Sequence, residues 1–224
     1  MQTEQRLAAQ SLAFDHYTQG RFEDALALWR PLADSGDADA QAWIGTLYEN
    51  GQGVPCSTEE ALRWYLRSAG GGNVLAQNNV GAMYGLGRGV SRDPVESARW
   101  FRLAAEQGDP HAMFNLAVLH TKGRGVTRDM SRAVDWYTRA AEQGHVPSQA
   151  RLGYLYTGED DVPKDRVKAC VWLTLAGMHG AGNALTALEP LMEQMSSEEK
   201  RAAQDSLAAF QARRAPRSTP SPAS

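Results

Sequence analysis

Little in this 224-residue chain points to covalent bracing, membrane insertion or a strong electrostatic field. Cysteine is almost absent: Cys56 and Cys170 are the whole supply, and they form no CxxC pair. That excludes a disulfide framework and a cysteine-rich metal knuckle, leaving open only one Cys56–Cys170 bridge. Charge of one sign is missing too. The 23 Lys and Arg stand against 26 Asp and Glu, a net charge of −3, and the basic residues are scattered among the acids. Such a chain has no basic field to steer a phosphate backbone, so nucleic acid is not an expected partner. No apolar run approaches the roughly 18 to 20 residues of a membrane span, and the opening Met1-Gln2-Thr3-Glu4-Gln5-Arg6 has no apolar signal core. The expectation is a cytoplasmic protein, or a periplasmic one if a leader before residue 1 has been removed.

With 42% hydrophobic residues the chain can bury a core, and that core is written as a repeat. Trp64, Trp100, Trp136 and Trp172 lie 36 residues apart, as do Val54, Val90, Val126 and Val162. Small residues keep the register in the columns Ala25, Ala61, Ser97, Ala133, Ala169 and Gly36, Gly72, Gly108, Gly144, Gly180. A fixed period of about 20 to 50 residues decides the whole architecture. Within one period Ala112, Leu116 and Leu119, then Ala133, Trp136, Tyr137 and Ala140, fall at helical intervals, so each period holds two helices.

Helix punctuation agrees with this reading. Asp109 can cap a helix that has Pro110 in its first turn, just after Gly108 ends the helix before. Ser57, Asp93, Asp129 and Asp165 start the second helices, with Glu60 and Glu96 placed for capping boxes; only His145 is a poor cap. One helix pair has too little apolar surface to fold alone, so neighbouring pairs must stack. The tryptophan column is expected to be buried and structural rather than catalytic.

Val80-Gly81-Ala82-Met83-Tyr84-Gly85-Leu86-Gly87-Arg88-Gly89-Val90 and Ala133-Val134-Asp135-Trp136-Tyr137-Thr138-Arg139-Ala140-Ala141-Glu142-Gln143-Gly144 carry a family resemblance. L-G-x-x-Y, then G-x-G-V, then A-x-x-W-Y-x-x-A-A-x-x-G resembles the Sel-one-like repeat of the tetratricopeptide superfamily, over residues 38 to 180. The resemblance implies an all-α fold, a right-handed α-α superhelix or solenoid of antiparallel helix pairs. It also implies adaptors that hold other proteins together, bacterial copies among them. Residues 4–35 read as an N-terminal capping hairpin, 38–181 as four repeats, 182–213 as C-terminal capping helices and 214–224 as a disordered tail. Pro190 is expected to kink or end the helix begun near Gly182.

Candidate chemistry is thin. Gly87-Arg88-Gly89 and Gly123-Arg124-Gly125 invite a phosphate-loop reading, but they lie between helices without the strand and third glycine of a dinucleotide fingerprint. The five histidines show no HExxH or other metal spacing, and Glu159-Asp160-Asp161 lacks the alternation of a calcium loop. No Ser-His-Asp or Cys-His constellation can be assembled by motif. The chain is therefore read as no enzyme, with no metal and no cofactor.

A surface remains. In the tetratricopeptide arrangement the first helix of each pair lines the concave side, and alignment carries that face onto Trp43, Asn79, Asn115 and Arg151, each 36 apart. Flanking positions add Thr46, Asn78, Phe114 and Tyr154, with Lys122 toward a helix end. Amides both donate and accept, which suits the main chain of an extended peptide, while aromatic and Arg side chains commonly anchor interfaces. Alternatively, asparagine belongs to the repeat and faces water or a neighbouring helix. The reading is a noncatalytic scaffold or adaptor for a peptide segment or helix of a partner protein, with a monomer as the expected state. Its rivals are a cell-wall or β-lactam-acting hydrolase and an envelope assembly factor.

Overall fold

Side-chain caps start most of the helices in the computed structural model, which describes residues 2–214. Among the described residues there are twelve helices and no strand. The expected disordered tail lies outside them except for Arg214, which ends the last helix. The chain divides into two compact units, residues up to 136 and from 137. The first unit contains α1 (Gln2–Thr18), α2 (Phe22–Asp34), α3 (Ala38–Asn50), α4 (Thr58–Gly70), α5 (Val74–Leu86), α6 (Pro94–Glu106) and α7 (Pro110–Lys122). The division falls within α8 (Met130–Glu142), and the second unit continues with α9 (Val146–Leu155), α10 (Arg166–Met178), α11 (Gly182–Glu193) and α12 (Ser197–Arg214). In the first unit each helix from α1 to α7 packs on the next; in the second, α10 packs on α9, α11 and α12. The fold is all-α, built of consecutive helix pairs with a 36-residue period.

Caps follow the repeat. Asp37, Asn73 and Asp109 accept the backbone N–H three residues on, at the starts of α3, α5 and α7, and Ser57, Asp93, Asp129 and Asp165 do so for α4, α6, α8 and α10. His145 makes no cap bond; its Nδ1 pairs with the Ser148 hydroxyl instead. The expected capping boxes do not form. The backbone N–H groups of Ser57, Asp93, Asp129 and Asp165 donate to the carbonyls of Tyr48, Tyr84, His120 and Tyr156, which closes each loop onto the end of the first helix. Glu60 and Glu96 are left to pair with Arg63 and Arg99 one turn along. A reciprocal box does occur at α12, where Ser196 and Glu199 each accept the other's N–H.

The tryptophan column is less buried than its periodicity implies. Trp64 and Trp172 are buried, but Trp100 and Trp136 are half-buried; the deeper column is the next residue, Tyr65, Phe101, Tyr137 and Leu173. One residue along a helix is a turn of about 100°, enough to move a side chain from the rim to the seam between helices. At the rim, guanidinium groups cover the indoles: Arg30 and Arg67 lie 5.2 and 4.8 Å from the Trp64 ring centre.

The Gly-x-Gly turns are packing devices. A Cβ at Gly89 would stand 2.4 Å from the Thr58 carbonyl oxygen, so the loop backbone rests directly on the start of the preceding second helix. Buried glutamines make a second tie. The amides of Gln41, Gln77 and Gln149 donate to the carbonyls of Ala33, Ala69 and Ala141, eight residues back, clasping the end of the preceding second helix.

Pro190 neither ends nor replaces α11, which runs on to Glu193. A proline so near a C-terminus removes a single helical hydrogen bond, and Leu191 beside it is buried. Phe210 of α12 meets Trp172 edge-on at 5.6 Å, and Arg214 donates to the carbonyl of Glu142. No bridge joins the cysteines: Cys56 is exposed and Cys170 buried, its thiol pushed above the ordinary value by that burial.

Candidate functional site

The face carried by α3, α5 and α7 within the first unit holds seven of the nine residues singled out in sequence. Trp43 does not stand free. It stacks on Trp29 at 5.3 Å with the planes 4° apart, and Phe14 and Tyr17 of α1 lie 5.4 and 5.0 Å from it. The helix before the repeats thus supplies one wall of a cleft of about 270 Å3, whose other walls include Ala42, Trp43, Thr46 and Leu75. Gln10, Asp39 and Asn73 give that cleft a polar edge, where the Asn73 amide donates to Asp39 at 2.8 Å.

Thr46 also belongs to a polar network joining two repeats. The Tyr65 hydroxyl donates to Glu49 at 2.9 Å and sits 3.1 Å from the Thr46 hydroxyl, with Asn79 nearby. Glu49 pairs with Arg88 at 3.2 Å. Burial, the largest cause, pushes the Tyr65 hydroxyl pKa well above its ordinary 10.0, and the nearby Glu49 charge adds to the shift while Thr46 and Asn79 oppose it.

The asparagines serve each other. Asn115 donates to Asn78 at 3.2 Å, a bridge between successive first helices. Phe114 is half-buried, and Lys122 is exposed at the last residue of α7. In the second unit Arg151 is held by Glu159 at 3.1 Å and by Asp160, the acidic turn that stands where other repeats have Gly-x-Gly. Tyr154 donates to the Asn183 carbonyl at 2.9 Å. The structure therefore brings together Trp43 and Thr46, Thr46 and Asn79, and Asn78 and Asn115; Lys122 lies apart, and Arg151 and Tyr154 have partners of their own.

Sequence reasoning missed Phe14 and Leu75 as cleft residues. For Phe14 no repeat column exists to flag it. For Leu75 a signal was available: its counterparts at the same interval are Asp39, His111 and Pro147, so an apolar side chain breaks the column. Leu75 is 55% exposed.

Among the described residues no group of three or more His, Cys, Asp or Glu stands together as a metal ion would require. No described helix is long and apolar enough to cross a membrane.

Comparison with known proteins matches these features. The Sel1 repeat model matches residues 38–73, 74–109, 110–145 and 146–180, so the chain belongs to the Sel1 repeat family. Proteins of this family generally serve as protein-interaction scaffolds. A Sel1 repeat protein from Oxalobacter formigenes is 32% identical, with a TM-score of 0.75 over 80% of this chain and 74% of that one. A protective antigen of uropathogenic Escherichia coli strains with an SLR fold is also 32% identical, with a TM-score of 0.80 over 91% of this chain, which spans 46% of that protein. The immunity protein Pa5087 from Pseudomonas aeruginosa has a TM-score of 0.53 over 93% of this chain and 80% of that one; at 18% identity the likeness is one of fold alone. No curated protein matches the chain.

Proposed function

We propose that this protein is a noncatalytic adaptor that captures a peptide segment or helix of a partner protein on the face lined by the first helices of its repeats. The observation that carries this reading is the cleft bounded by Phe14, Trp43 and Leu75. It pairs exposed apolar surface with the amide oxygen of Gln10, whose Nε2 is held by Asp37 at 2.8 Å, and with the polar pair Asp39 and Asn73, so a bound chain finds both an anchor pocket and hydrogen-bond partners. Thr46, Asn78 and Asn115 are tied within the protein, which makes them rigid supports more than free grasping groups. Rigidity of this kind lowers the ordering cost of capture.

The test starts with isolation of bound protein from the native cell, followed by affinity measurement with the purified partner. Phe14→Ala combined with Leu75→Ser is expected to weaken binding at least about tenfold. Both side chains are exposed, at 44% and 55%, so the melting temperature should stay close to that of the parent. An unchanged affinity in that double variant would remove the cleft from the function.

A further inference from the structure

Where the second and third repeats meet, three columns change their chemistry: Arg102 belongs to the second repeat, His120 and Arg132 to the third. Tyr48, Tyr84 and Tyr156 share a column with His120; Glu60, Glu96 and Lys168 share one with Arg132; Leu66, Thr138 and Thr174 share one with Arg102. Far apart in sequence, the three exceptions meet in space. Arg102, His120 and Arg132 line one polar cavity of about 810 Å3, with Thr127 and Asp129 beside them. An imidazole takes less volume than the phenol used in the other repeats, which leaves room at this end of the repeat.

The cavity is built around a buried polar ring. His120 is only 4% exposed, and its Nδ1 lies 3.3 Å from the Thr127 carbonyl oxygen. A carbonyl can only accept, so Nδ1 carries the hydrogen. The other ring nitrogen, Nε2, has no hydrogen-bond partner among the described residues. Arg102 is likewise unpaired among them. Arg132 is oriented by Asp129 through its Nε at 3.2 Å, which leaves its terminal nitrogens available. Asp129 itself accepts the Arg132 N–H at 3.0 Å as the cap of α8, so its charge is already answered by a guanidinium and a helix start.

We propose that this cavity is an anion site that takes a phosphate group. Two guanidinium forks offer more N–H donors than the two oxygens of a carboxylate can use, whereas a phosphate ester presents three oxygens and about two negative charges; His120 contributes the room that the phenols of the other repeats would fill. The site goes beyond the partner-binding cleft and does not depend on it. The phosphate reaches it either as a small ion or ester or on a phosphorylated side chain of a protein, and the same groups recognise both.

The test is a titration of the full chain with inorganic phosphate and, separately, with a short phosphoserine peptide, following amide shifts of residues 125–132 and the His120 ring. Saturable shifts confined to this region are expected, weakened at least about tenfold by Arg102→Gln and by His120→Tyr. His120→Tyr installs the residue of the other repeats and fills the cavity; Arg102→Gln alters an exposed side chain and carries the test should the tyrosine variant misfold. Tighter binding of the peptide than of inorganic phosphate supports a protein-borne ligand, and equal binding supports a small anion. The proposal is overturned by no saturable shift at about 10 mM phosphate, by equal shifts with chloride at matched ionic strength, or by shifts that survive Arg102→Gln at full strength.

Discussion

The Tyr65 ring lies so close to Gly45 that a Cβ at position 45 would stand 2.7 Å from its Cδ1 and 2.8 Å from its Cε1. The two residues sit on the paired helices of one repeat, and the glycine is what lets those helices approach. Phe101 lies against Gly81 in the same way in the next repeat, at 2.8 and 2.9 Å.

Gly45→Ala should therefore destabilise the protein by about 1–3 kcal/mol, because the ring is fully packed and has nowhere to move. Gly81→Ala should behave alike. Gly70→Ala is the control: nothing lies within 4 Å of its added Cβ, and it sits in α4, so the alanine should be neutral or stabilising by up to about 1 kcal/mol. Urea unfolding midpoints of the three variants check this, and equal losses in all three would refute the packing account.

Gln149 is 0% exposed, and both ends of its amide are engaged: Nε2 donates to the Ala141 carbonyl at 3.1 Å, and Oε1 lies 3.2 Å from His179 Nδ1. Truncation leaves the carbonyl of the buried Ala141 without its partner and frees the exposed His179. Gln149→Ala is expected to lower stability by about 2–4 kcal/mol, combining lost bonds and a cavity. Gln149→Met should lose less, since a methionine occupies the equivalent place at Met113 and restores the volume. Thermal melts with the same two-state fit for each variant decide between them.

The raised hydroxyl pKa of Tyr65 links stability to alkaline pH. A group whose folded pKa lies above its unfolded value contributes stability that is complete below the unfolded pKa and disappears as pH climbs toward the folded one. The parent should accordingly lose stability beyond pH 10.0 in part through Tyr65. Tyr65→Phe should be about 1 kcal/mol weaker at neutral pH, having lost the bonds to Glu49 and Thr46, yet fall less steeply above pH 10. Denaturation midpoints taken at about pH 8 and about pH 11 test it; parallel slopes would mean that the Tyr65 hydroxyl titrates alike in the folded and unfolded chain.

Much of the helical framework was legible from spacing. The columns headed by Trp64 and Gly36, with Asp109 and Ser57 type caps, placed the helix pairs because a cap and an apolar stripe are local and the repeat shows each of them several times. Cap partners were not legible. The N–H of Asp93 had two candidate acceptors, the Glu96 side chain and the Tyr84 carbonyl nine residues back, and only the folded loop shows that the carbonyl takes it. Arg151 illustrates the same limit at the candidate site. Its column suggests a free groove residue, but the acidic turn at Glu159 and Asp160 folds back to hold it.

From its letters alone the chain declares a 36-residue rhythm, the helix pairs within it and the family to which they belong, because each depends on residues within one or two turns of one another. Folding decided which of those residues remain available. Phe14 closes over Trp43, Asn115 turns to Asn78, and Arg102, His120 and Arg132 come to share one cavity. Such choices are made between side chains separated by tens of residues, where distance and burial rule and periodicity is silent.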